Sequence, residues 1–228
     1  MTLGHALAYA AFLGLFRYKP EAVATYSQAL ADIVSRYDLP AYWAGIALFL
    51  QSWAKSRPAE MRRGLTTYRE QGRIWLLPEA VLAEAEASAG ETDAGLRRLD
   101  LALAELERTE ERSYEAEMHR IRGEILLKRD PAGTAAAEQS LQTAIAIAQS
   151  QKARSFGLRA ALSLAKHYRA ANRDADAQAV LASAVEGFPP TQQFPELTEA
   201  QTLLAALSKS DEARGAADPP GVAGRATA

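Results

Sequence analysis

Few residues of this chain have the type and spacing that covalent chemistry requires. The three histidines, His5, His119 and His167, fall in separate segments and form no spaced ligand set with carboxylates, so no metal site is expected. His119 occupies a large-residue position of its helix and reads as a packed structural histidine. Glu105, Glu107, Glu110 and Glu111 read as a solvated helix end and linker. The absence of cysteine excludes disulfides, thiolate metal sites and cysteine nucleophiles, and it fits a reducing cytoplasm. No G-x-x-x-x-G-K-[ST] phosphate loop is present. The expectation is a chain with no catalytic residue, cofactor or metal of its own, and not an enzyme.

The chemistry that remains is recognition. Arg159, Leu162, Lys166 and Arg169 recur at helical spacing, opposite an apolar face of Leu158, Ala161, Ala165 and Tyr168. Arg120 and Lys128 of the preceding repeat are expected to project into the same groove. Such cations can hold a partner's carboxylates by charge-assisted hydrogen bonds. Glu117 and Glu124 share that face, and the alternative is a surface network of ion pairs with little energetic consequence. A second candidate is apolar: Tyr42, Ile46, Phe49 and Leu50 share one helix face and could anchor a peptide or partner helix. The alternative there is packing between repeats, since Trp43, Trp53, Tyr68 and Trp75 crowd the same span.

These side chains must be positioned by helices. Alanine, leucine, glutamate and arginine dominate, and long stretches lack both glycine and proline, so the chain is expected to be all-α. From Ser155 to Pro190 the sequence SFGLRAALSLAKHYRAANRDADAQAVLASAVEGFPP places Ala161, Leu164, Ala165 and Tyr168, then Ala177, Leu181 and Ala184, at the tetratricopeptide (TPR) spacing. Small residues sit where two helices cross closely, and larger ones fill the gaps beside them.

Carried along the chain, that frame predicts five helix pairs at about 2–37, 40–72, 75–109, 113–152 and 155–188, with a capping helix at 196–208. The expected architecture is a right-handed α-solenoid of TPR-like antiparallel pairs forming a single domain over 1–208, followed by a disordered tail at 209–228. Gly45, Leu48, Met61 and Gly64 take packing positions in the second pair, Gly95, Leu99 and Ala102 in the third, and Gly123, Ala137, Leu141 and Ala144 in the fourth. Glu79 and Glu86 fall where the third pair should present apolar residues, which leaves its register open by one residue.

With 26 basic and 28 acidic residues in 228, the net charge is −2. That balance argues against nucleic acid and against a polybasic membrane contact. The apolar N-terminus has no basic leader region and is too short to span a bilayer, so it reads as a repeat helix in a cytoplasmic protein. Its uncapped apolar face offers a route to a homo-oligomer.

The segments AEMHRIRGEILLKRDP (116–131), ARSFGLRAALSLAKHYRAANRDADAQAVLASAVEGF (153–188) and FPELTEAQTLLAAL (194–207) resemble the C-terminal TPR region of bacterial multidomain signalling proteins. In those proteins a cyclase domain and an AAA-type ATPase domain precede a helical-repeat tail. The resemblance implies a non-catalytic module that binds a protein or peptide in its concave groove. The alternative it implies is a regulatory part of an adenylate/guanylate cyclase or signalling ATPase, working with catalytic domains encoded elsewhere.

Overall fold

A computed structural model describes residues 3–72, 75–189, 191–192 and 194–217, with side chains described up to 209. The described residues are all-helical, with no strand. They form α1 (Leu3–Phe16), α2 (Pro20–Tyr37), α3 (Ala41–Ala54), α4 (Pro58–Glu70), α5 (Leu76–Ser88), α6 (Thr92–Thr109), α7 (Glu115–Arg129), α8 (Ala135–Ser150), α9 (Arg154–Ala170), α10 (Asp174–Val185) and α11 (Pro195–Ala217). α11 continues past the expected end of the capping helix at Ser208. The remainder of the anticipated tail, 218–228, lies outside the described residues. No described helix is long and apolar enough to cross a membrane.

Helix ends follow one recurring device. Tyr18, Asp38, Ser56, Gly90, Lys152 and Asn172 all adopt left-handed backbone conformations just past a helix. The residue after each returns an N–H to a carbonyl five positions back: Lys19 to Gly14, Leu39 to Val34, Arg57 to Ser52, Glu91 to Glu86, Ala153 to Ala148 and Arg173 to Tyr168. This is the Schellman closure, which satisfies a terminal carbonyl and reverses the chain within a few residues. Pro20 and Pro58 then open α2 and α4, where the missing proline N–H costs no hydrogen bond.

The chain divides into two compact units, Met1–Ala137 and Glu138–Ala228. In the first, each of α1 to α7 packs on its sequence neighbour, and α1 also meets α3 as α5 meets α7. In the second, α9 packs on α10, α10 on α11, and α9 on α11. α3 crosses α4 at close range, glycine against glycine. A Cβ added at Gly45 would lie 2.6 Å from the Gly64 carbonyl oxygen, and one added at Gly64 would lie 2.6 Å from the Gly45 oxygen. Only glycine admits that approach. Beside it Met61, Leu50 and Leu30 are fully enclosed, filling the space the close crossing leaves.

Glu79 and Glu86 are buried on α5, at 2% and 0% exposure, so the positions are core even though the residues are charged. Arg98 of α6 answers both: its Nη1 donates to Glu79 at 2.8 Å, and its Nε and Nη2 donate to Glu86 at 2.9 and 2.8 Å. From α4, Arg69 reaches Glu79 at 2.6 Å and Arg62 reaches Glu86 at 2.7 Å. Burial alone would raise the Glu86 pKa, but hydrogen bonds from Arg98 and Arg62 outweigh it and hold the carboxyl below its usual range. The same helix pair packs through Gly95, Leu99 and Ala102, all buried as the repeat frame requires.

Candidate functional site

The basic row of α9 separates into residues with different environments. Leu162 is buried, at 4% exposure, and joins the packing side. Arg159 is mostly covered and lies 4.0 Å from Glu196 of α11, while Lys166 pairs with Glu199 at 2.7 Å. Arg169 is exposed and has no ion-pair partner among the described residues. Lys166 and Arg169 stand on the wall of an open groove of about 1040 Å³ between α9 and α11. Ala170, Phe194, Pro195, Leu203 and Ala206 supply its apolar surface. The groove can therefore take an apolar side chain beside a negative charge.

Behind this wall, on the α8 side, the cations are already engaged. Arg173 holds Glu138 through two hydrogen bonds of 3.0 and 2.9 Å, and its guanidinium lies 4.0 Å from the centre of the Tyr168 ring. His167 Nε2 is 3.0 Å from the same carboxylate. Burial raises the Glu138 pKa, but the hydrogen bonds from Arg173 and His167 prevail, leaving it below the ordinary value.

In the first unit, Arg120 does not face open solvent. It is 3% exposed, donates twice to Glu117 at 3.0 and 2.9 Å, and reaches Glu84 at 3.1 Å and Glu124 at 2.6 Å. Burial disfavours its charge, yet the surrounding carboxylates hold its pKa well above the usual arginine value. Lys128 of the same helix is exposed. Sequence spacing identified Arg120 as a helix-face cation, and its i−3 and i+4 carboxylates were visible. Glu84 on α5, which completes the burial, gave no local signal.

Tyr42 and Ile46 line a small aromatic cavity of about 220 Å³ together with His5, Tyr9, Tyr68 and Trp75. Phe49 is enclosed at 2% exposure and Leu50 at 0%, both within the core of this unit. Rings pack around the cavity, with Tyr42 and Tyr68 centres 6.2 Å apart, Tyr68 and Trp75 5.9 Å apart, and His5 edge-on to Trp43 at 4.7 Å. Burial keeps His119 below the usual imidazole pKa. No cluster of metal-ligating side chains occurs among the described residues. On α1, Leu3, Tyr9 and Leu13 are 62%, 58% and 60% exposed.

No protein-family model, curated protein or solved structure matches the chain.

Proposed function

We propose that this chain is a non-catalytic interaction module of TPR-like helix pairs whose α9–α11 groove binds a peptide or protein segment bearing a carboxylate next to apolar side chains. The repeat reading is supported by the shared turn geometry at Tyr18, Ser56, Gly90 and Asn172, each of which links the first helix of a pair to the second. It is also supported by the contacts between alternate helices, α1 with α3, α5 with α7 and α9 with α11.

The observation that carries the binding reading is Arg169, an exposed guanidinium on the rim of a largely apolar groove of about 1040 Å³. A guanidinium grips a carboxylate through two parallel hydrogen bonds, and a charge-assisted contact of this kind contributes about 1.5–3 kcal/mol. Lys166 is occupied by Glu199, so it contributes less. A partner recovered by affinity purification and then titrated as a purified protein provides the test. Arg169→Glu is expected to weaken binding by at least about tenfold, while Lys166→Ala changes it little. Undiminished binding to Lys166→Glu/Arg169→Glu refutes the reading.

A further inference from the structure

The first unit carries a second cleft, of about 770 Å³, with the opposite electrostatic character. It opens between the α1–α2 turn, the α3–α4 turn, α5 and α7. Tyr18 and Trp53 stand on one side with ring centres 6.5 Å apart, and Glu84 and Glu124 stand on the other. Met61, Val81, Ala54 and Ala85 supply apolar wall between them, and no lysine or arginine is among the lining residues.

The two carboxylates are close neighbours, because both reach the same guanidinium. Glu84 Oε1 accepts from Arg120 Nη2 at 3.1 Å, and Glu124 Oε2 lies 2.6 Å from Arg120 Nη1. Arg120 meanwhile spends two hydrogen bonds on Glu117. Glu84 Oε2 has no hydrogen-bond partner among the described residues. Burial raises the Glu84 pKa, and Arg120 offsets this only in part. Here the protein holds a carboxylate whose charge its own cations do not fully answer.

We propose that this cleft binds an arginine side chain presented by an extended segment of a protein partner. A guanidinium is the cation that fits the wall on both sides. It stacks on aromatic faces while donating in-plane hydrogen bonds to carboxylates, and its three-carbon stem lies against apolar surface. The charge complementarity is specific to this unit. The α9–α11 groove calls for a negative group, the cleft calls for a positive one, and the two sites are addressed by different peptides.

The test uses the full chain and fluorescein-labelled hexapeptide pools with arginine, lysine, alanine or glutamate fixed at the centre, read by fluorescence anisotropy at low ionic strength. The arginine pool is expected to bind best and the glutamate pool worst. For a single peptide chosen from the arginine pool, Glu84→Gln and Trp53→Leu should each weaken binding about ten- to a hundredfold, while Arg169→Glu leaves it unchanged. The proposal is overturned if the arginine pool binds no better than the alanine pool, or if both cleft variants bind like the wild type. It is also overturned if free agmatine binds as tightly as the peptide, which would make this a small-cation site. Loss of the acidic partner from Arg169→Glu bears only on the α9–α11 groove, so the two readings fail separately.

Discussion

Removing Arg98 should unfold the first unit far more readily than its partly exposed position suggests. Its guanidinium is the only cation reaching Glu79 and Glu86 from α6, and the two carboxylate side chains are 3% and 1% exposed. Taking away one partner of a buried ion pair costs about 3–5 kcal/mol, because the remaining charge stays desolvated. Arg69 and Arg62 still approach from α4, at 55% and 42% exposure, and Arg62 keeps hydrogen bonds of 3.0 and 2.7 Å to Glu86. The lower end of the range therefore applies, about 3 kcal/mol for Arg98→Met. With a urea slope of about 2 kcal/mol per molar, the midpoint should fall by roughly 1.5 M at pH 7.

Acid distinguishes this mechanism from lost packing. In the wild type the Glu86 pKa is depressed on folding, so its contribution is fully present above the unfolded value of about 4.3 and is lost as pH falls through the folded value. Without Arg98 only Arg62 opposes the burial that raises the Glu86 pKa, the Glu86 carboxyl protonates more readily, and the deficit of the variant should shrink between pH 7 and pH 4. Replacing the whole trio, Glu79→Leu/Glu86→Leu/Arg98→Met, should restore wild-type stability or exceed it by about 1–4 kcal/mol, since no buried charge remains between α5 and α6 at these three positions. A midpoint for Arg98→Met within about 0.25 M of wild type at pH 7 would refute the argument, as would a deficit unchanged at pH 4.

Gly64→Ala sets helix propensity against sterics. Propensity gains about 1 kcal/mol, but the new Cβ would stand 2.6 Å from the Gly45 oxygen and 2.7 Å from the Phe49 nitrogen, both backbone atoms that cannot swing away. Overpacking at about 3 kcal/mol wins, and calorimetry should show a melting temperature roughly 4–8 °C lower; a rise would mean that α3 and α4 separate freely. Glu84→Gln should act in the opposite direction. The folded pKa of Glu84 is raised, chiefly by burial, so its ionised form costs stability once pH rises through that value. The variant should melt higher than wild type at pH 7 and lose the advantage near pH 4, and equal melting temperatures at pH 7 would contradict the raised pKa.

The parts of this molecule that were legible in sequence are those decided by neighbours along the chain. Pro20, Pro58 and Gly90 mark helix boundaries because each restricts or relaxes its own backbone. The Gly45–Gly64 crossing could be anticipated because small residues at repeat spacing have one use, close approach. Three other boundaries were quieter. Tyr18, Ser56 and Asn172 adopt the same left-handed turn without being glycine, held by the hydrogen bond five residues back rather than by residue type. α11 runs on to Ala217 through Asp-Glu-Ala-Arg, where helix propensity persists after apolar periodicity has ended.

Charges were the hardest residues to place, for a physical reason. The cost of burying an ion depends on partners that only tertiary packing delivers. Glu79 and Glu86 looked misplaced until Arg98 arrived from the next helix, and Arg120 looked exposed until Glu84 arrived from α5. Arg120, Lys166 and Arg169 are all cations on one face of a helix, yet the fold saturates the first, pairs the second with Glu199 and leaves the third at the rim of a groove. A stabilising charge and a recognition charge differ here in what the next helix supplies. By that criterion Arg169, exposed and without an ion-pair partner among the described residues, is the recognition charge we propose for the α9–α11 groove, and Glu84 is its proposed counterpart of opposite sign in the cleft of the first unit.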